Sequence, residues 1–264
     1  MKIWANTIVH NEENFIWFAI SSVVNFVDKV LIYDTGSTDK TVRIIDELVK
    51  KYGSKIEFKE VGDVNDKEFP KIRQQMLDQS KCDWILVLDG DEIWWEESIK
   101  KLIEVINQKG KSIEGIVVPF IAPVGDIYHF QEAQAGQYQL LGRKGHYSLR
   151  AINKKIPGLH VGLPYGKEGY FDINNKLIHE REKVFFLDAP YLHVTQLKRS
   201  NSPRKYNKFK YELGESFPVN FKFPEVLLKP FPDVVSSPWG KISGVKKIWA
   251  QLLTPLRKIK RRLK

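Results

Sequence analysis

The stretch "CDWILVLDGDEIWW" (82–95) decides the fold. Trp84 to Leu88 are five apolar residues in a row and read as a buried strand. Asp89, Asp91 and Glu92 follow at once. Carboxylates crowded at one strand end repel one another, so the chain must gain something from the arrangement. Helix capping explains one acceptor but not a cluster. A bound divalent cation answers the repulsion, because hard cations take carboxylate oxygens. We read the cluster as a metal site in preference to a cap.

Working outward, the first half alternates two patterns. "KIWANTIV" (2–9), "KVLIYD" (29–34), "KIEFKEV" (55–61), "DWILVLD" (83–89) and "IEGIVVPF" (113–120) read as strands. "ENFIWFAISSVVNF" (13–26), "STDKTVRIIDELVKKYG" (37–53), "FPKIRQQMLDQS" (69–80) and "EESIKKLIEVINQKG" (96–110) read as helices, with Pro70 near a start and Gly53 at a stop. This βαβαβαβαβ order predicts an α/β fold with a mostly parallel central sheet and helices on both faces. Ligands of such sheets bind at the carboxyl ends of the strands. The first strand ends in His10, Asn11, Glu12 and Glu13, the second in Asp34, Thr35, Gly36 and Ser37, and the fourth in Asp89, Gly90 and Asp91.

From 121 to 185 the periodicity loosens, which suits loops that complete a site over a scaffold. "HYSLRAIN" (146–153) and "VFFLDAPYLHVT" (184–195) still read as strands, and "SPRKYNKFKYELG" (202–214) as a basic helix. Residues 217–240 are punctuated by proline and predicted to be extended.

The chain has 264 residues, 42% of them hydrophobic, enough for a sizeable core. A lone cysteine, Cys82, excludes an internal disulfide and a cysteine-type zinc site. The N-terminus shows no basic-then-apolar leader, and no apolar run approaches the ~20 residues that span a bilayer. The expectation is a cytoplasmic protein. The net charge of +10 is uneven: residues 241–264 hold nine Lys or Arg and no acid, leaving +1 for the rest. The basic balance is therefore poor support for nucleic-acid binding by the main domain, and no nucleic-acid partner is expected.

That tail, "GVKKIWAQLLTPLRKIKRRLK" (244–264), repeats Val245, Ile248, Trp249, Leu252, Leu256, Ile259 and Leu263 at steps of three or four. It reads as a basic amphipathic helix, with Pro255 as a point for a kink. The favoured partner is an anionic membrane surface, which would make the protein peripheral at the inner face of the cell membrane. The competing readings are a helix packed back on the domain with its basic face to solvent, and nucleic-acid contact.

"VHNEENF", "IYDTGSTDKT", "KIRQQML" and "WILVLDGDE", in this order with one strand–helix unit between successive members, resemble the family-2 glycosyltransferases. The "DTGSTD" variant is common in bacterial enzymes of cell-surface glycan synthesis. The resemblance covers residues 1 to about 120, and pieces in 140–215 ("LIHE", "LHVT", "KYELG") continue it. It implies the GT-A fold and an inverting, metal-dependent transfer from a nucleoside-diphosphate sugar to a glycan or lipid-linked acceptor. The implied organisation is a catalytic domain over 1–215 (nucleotide-sugar half 1–120, acceptor half 121–215), an extended segment over 216–240 and the tail over 241–264.

By the same resemblance Asp89 and Asp91 are the DxD-type pair that holds Mg²⁺ or Mn²⁺ against the donor diphosphate. Arg73 contacts base or phosphate. His10, Asn11, Glu13, Asp34, Thr35 and Gly90 fall in the nucleotide pocket. One departure matters: many members carry a second, base-contacting acid where this chain has Thr35, so a uracil preference does not carry over. Glu180 in "LIHER" matches the pattern of the catalytic base, against a surface Glu in a charged loop. His193 in "PYLHVT" either completes the metal site or is a satisfied core histidine. One of Trp94 and Trp95 is expected to pack inward. The alternatives are a catalytically degenerate binding protein of the same fold and a DxD phosphohydrolase; the latter normally has its nucleophile after an early strand.

Overall fold

The computed structural model describes residues 1–197 and 212–262. The helix expected over 202–214 falls almost wholly outside them. A nine-stranded sheet organises the molecule. Its strands are β1 (Ile3–Val9), β2 (Lys29–Asp34), β3 (Ile56–Glu60), β4 (Trp84–Val87), β5 (Glu92–Trp94), β6 (Gly115–Ile121), β7 (Tyr147–Asn153), β8 (Val184–Phe186) and β9 (Tyr191–His193). Four helices connect or flank them in the first half: α1 (Ile16–Val23), α2 (Thr41–Tyr52), α3 (Phe69–Gln79) and α4 (Glu96–Lys109). The strand order is β3-β2-β1-β4-β7-β6-β9-β5, with β8 also paired to β6.

The apolar runs are continuous because both faces of the sheet are covered. Ile3, Ala5 and Val9 of β1, Val30 and Ile32 of β2, and Trp84 and Leu86 of β4 join one core with α1, α2 and α4. The alternate residues Ile8, Leu31 and Tyr33 pack with Phe69 and Met76 of α3, and Ile85 and Val87 with Leu77. β1 to β4 are mutually parallel, and β7 runs antiparallel between β4 and β6. The sheet is therefore mixed beyond its fourth strand.

Two details differ from the sequence reading. Glu92–Trp94 is a strand, not merely a lead-in to α4: it pairs antiparallel with β9. And 184–195 is two strands in tandem along one edge of β6, broken at Leu187–Pro190. Pro190 has no N–H to give a ladder, which ends the run there.

Beyond the sheet, Glu215–Ser216 pairs with His129–Phe130. The proline-rich stretch forms one short 3₁₀ turn at Glu225–Leu228, and Val226, Leu227 and Val235 enter the main core. Phe231 meets Phe18 edge-on at 5.4 Å. α5 (Gly244–Arg262) closes the described chain.

Candidate active site

The carboxyl ends of β1 and β2 are laced together before any ligand is considered. Asp34 Oδ2 accepts the backbone N–H of Gly36 (3.0 Å) and of Ser37 (2.9 Å). Gly36 has φ +82°, a left-handed conformation that costs an L-residue energy. Asn11 Oδ1 accepts from the Thr38 N–H at 2.8 Å, and the Asn11 N–H donates to Ser37 Oγ at 2.8 Å. Glu13 Oε2 accepts from the Lys40 N–H at 3.1 Å. Asn11 and Glu13 thus shape the loops. Thr35 is fully buried, and its hydroxyl donates to the Val9 carbonyl at 2.9 Å. Where the resemblance led to the expectation of an acid, the Thr35 side chain is turned into the sheet.

Among the described residues, four buried polar atoms on this edge have no hydrogen-bond partner: Asp34 Oδ1, His10 Nε2, Arg73 Nε and His193 Nδ1. The other ring nitrogen of His10 lies 2.7 Å from the Thr35 carbonyl. Buried polar atoms without partners carry a cost and need a reason.

The end of β4 supplies the charges. Asp89 faces two arginines, Arg150 at 3.2 Å and Arg73 at 3.8 Å. Burial pushes the Asp89 carboxyl up, but Arg150 and Arg73 outweigh it and hold the group below its ordinary range. Arg150 also pairs with Glu92, and its Nε donates to the Tyr191 hydroxyl at 3.0 Å. Glu92 is completely buried, and that burial, opposed by Arg150, pushes its carboxyl up to about 7. Burial works against the charge of Arg150 as well. Glu92, Tyr191 and Asp89 prevail and raise it well above the usual value.

Asp91 points elsewhere. Its Oδ1 lies 3.4 Å from His193 Nε2. The pairing follows from register, since His193 of β9 sits opposite Glu92 of β5, and the Val194 N–H donates to the Asp91 carbonyl at 2.9 Å. Gly90 lets this turn approach β1: a Cβ there would meet Val9 Cγ1 at 3.1 Å and Glu12 Cγ at 3.2 Å. Trp94 is the tryptophan that packs inward, stacked on Tyr191 at 5.0 Å. Trp95 is half-buried and donates to the Lys222 carbonyl at 2.8 Å. Among the described residues, no three His, Cys, Asp or Glu converge closely enough to hold a metal on their own.

The structure brings His10, Asn11, Glu13, Asp34, Thr35, Arg73, Asp89, Gly90, Asp91 and His193 to one edge of the sheet. It does not bring Glu180 there. Glu180 is exposed on the turn Ile178–Glu180, and its neighbour Arg181 is held at 2.7 Å by Glu114, just before the start of β6. That is the edge away from Asp89. Arg150 and Tyr191 are site residues that the sequence reading missed. The signal for Arg150 was a single cation inside the apolar run "SLRAIN". A buried arginine requires carboxylate company. The β7–β6 register shifts between Leu149 and Ala151, so Arg150 sits at a bulge, a device that re-aims a side chain.

Residues 7–165 match the model of the family described as glycosyl transferase family 2. The chain belongs to that family. Among its curated relatives, an uncharacterized glycosyltransferase of Rickettsia felis is 42% identical over 94 residues, covering 34% of this chain and 29% of that protein. The SPbeta prophage-derived glycosyltransferase SunS of Bacillus subtilis is 28% identical over 181 residues, covering 67% of this chain and 39% of SunS. The chain thus spans well under half the length of these relatives. The crystal structure of S. aureus TarS superimposes with a TM-score of 0.50 at 17% identity, over 74% of this chain and 37% of that one. The likeness is one of fold, the GT-A α/β arrangement.

Proposed function

We propose that the chain catalyses a metal-assisted, inverting transfer of a sugar from a nucleoside-diphosphate sugar to a glycan or lipid-linked acceptor of the cell envelope. The observation that carries this reading is the Asp91–His193 pair, 3.4 Å apart at the carboxyl edge of the sheet, beside two buried arginines. Mg²⁺ and Mn²⁺ are commonly held by one or two protein groups together with substrate phosphates, so a two-residue donor set fits. In this reading Asp91 and His193 hold the cation, and Asp89 positions Arg73 and Arg150 toward the donor. A cation bound there would offset the charge that grows on the departing diphosphate. Asp34 Oδ1, His10 Nε2 and Arg73 Nε would gain partners from the nucleoside and phosphate.

Family membership removes the phosphohydrolase alternative. The degenerate binding protein is separated by experiment. Melting temperatures are recorded with UDP, GDP, dTDP, CDP and ADP, each with and without Mn²⁺, for the protein and for Asp91→Asn. Ligands of the native state raise the melting temperature by mass action. A shift with one diphosphate that requires Mn²⁺ and vanishes in Asp91→Asn supports the reading. No shift with any of them sinks it.

A further inference from the structure

We propose that α5 is a docking face for an anionic lipid bilayer, held on the catalytic domain by its inward side. The inference rests on the transferase reading only for what the bilayer would present, a lipid-linked acceptor.

The helix packs on the domain in the polarity opposite to the one considered from sequence. Ala250, Thr254, Arg257, Lys258 and Arg261 recur at steps of three or four and face inward. Ala250 and Thr254 are buried, and Thr254 Oγ1 accepts the Leu213 N–H at 2.9 Å. Arg261 pairs with Glu212 at 2.6 Å and Glu132 at 2.7 Å. Lys258 meets Glu215 at 3.0 Å, and Arg257 meets Glu212 at 3.6 Å. The opposite face, Val245, Ile248, Trp249, Leu252, Leu256 and Ile259, stands 54–70% exposed. A contiguous apolar stripe of this kind marks an interaction surface.

Charge selects the occupant. Residues 241–264 carry nine basic residues and no acid, while among the described residues the domain meets them with three acids, Glu132, Glu212 and Glu215. The surplus is positive, and Lys247 and Lys260 are exposed. Anionic headgroups complement it, whereas a second copy would bring the same surplus against itself. Among the described residues no helix is long and apolar enough to cross a bilayer, so the contact is interfacial. Trp249 suits the headgroup level.

A second apolar point stands nearby. Glu215, which holds Lys258, leads directly into a turn where Phe217 and Phe221 stack at 3.9 Å and Val219 is fully exposed. The inward side of the helix also reaches toward the site, from Arg261 through Glu132. The Glu132 carbonyl lies 3.2 Å from His146 Nε2; the His146 ring is 5.1 Å from Phe120, and Phe120 is 5.1 Å from His193.

The test is co-sedimentation of the full chain with phosphatidylcholine vesicles and with phosphatidylcholine–phosphatidylglycerol vesicles, beside sedimentation velocity without lipid. Expected are a monomer in solution and binding to the anionic vesicles alone, weakening as salt rises. The pair Leu252→Glu and Leu256→Glu should weaken that binding about tenfold or more, since both charges enter the buried face. Both positions are exposed, so an unchanged melting temperature shows that the variant folds. Overturning results are no binding to either vesicle, binding indifferent to the double substitution, or a dimer that the double substitution dissolves. No nucleotide enters the assay, so failure of the donor site and failure of the docking face are read separately.

Discussion

The guanidinium of Arg150 lies 3.2 Å from the carboxylate of Asp89. This arginine neutralises part of the carboxylate cluster, because it also pairs with the buried Glu92. Arg150→Ala leaves Glu92 buried without its counter-charge and should lower the unfolding free energy by about 3–5 kcal/mol. Urea unfolding followed by circular dichroism measures this. Arg150→Lys should recover only part, since an ammonium cannot fork between two carboxylates and a hydroxyl. A loss well under 1 kcal/mol for the alanine variant would show that Arg150 is not the counter-ion (~1 kcal/mol being the size of one ordinary hydrogen bond).

Gly36→Ala places a Cβ 3.1 Å from the Asp63 amide nitrogen in a left-handed conformation. The expected cost is about 1–2 kcal/mol. The Asp34 carboxylate, which caps this turn, should shift with it and weaken nucleoside-diphosphate binding. Calorimetric titration beside thermal unfolding tests both effects, and an unaltered stability would mean that the turn relaxes freely.

Glu114 gives a pH signature far from the site. The hydrogen bond from Arg181, opposed by burial, holds its carboxyl below the ordinary value of 4.5. A folded-state value that is depressed means the unfolded chain binds the proton more tightly. The stabilisation is therefore complete above about pH 4.5 and disappears as pH falls through the folded value. The stability gap between the protein and Arg181→Met should be level near neutrality and narrow below about pH 4.5. A gap that stays constant into strong acid contradicts the assignment.

Glu180→Gln separates motif from geometry. With Arg181 anchored to Glu114, the turn holds Glu180 at the far edge of the sheet. The variant should keep the Mn²⁺-dependent diphosphate shift and stay within about twofold in donor turnover, since a general base is normally worth orders of magnitude more. A loss of about a hundredfold or more would restore the base role.

The parallel half of the fold was legible because burial on both faces writes itself as apolar runs, and helices between them keep a 3.6-residue period. The place of Asp89 and Asp91 at the end of β4 was legible because the apolar run stops there. β5 was not, since three residues, Glu92 to Trp94, carry no periodicity and are made a strand only by β9, some hundred residues later. Arg150 was missed for a related reason: a bulge leaves no mark in a single strand's sequence. The tail's two faces could be read, but not which of them faces the domain. Glu132, Glu212 and Glu215 decide that from outside the helix.

The irregularity at Leu149–Ala151 also bears on what the strand can lose. Because the extra residue stands outside the regular ladder, its identity answers to Asp89 and Glu92 and not to the strand pairing on either side. Losing Arg150 would leave Leu149 and Ala151 adjacent, opposite Val117 and Ile116, which are adjacent already, so a regular ladder would close with the flanking side chains on their present faces. What a deletion at position 150 would remove is therefore the charge partner of Asp89 and Glu92, and not the pairing of the sheet.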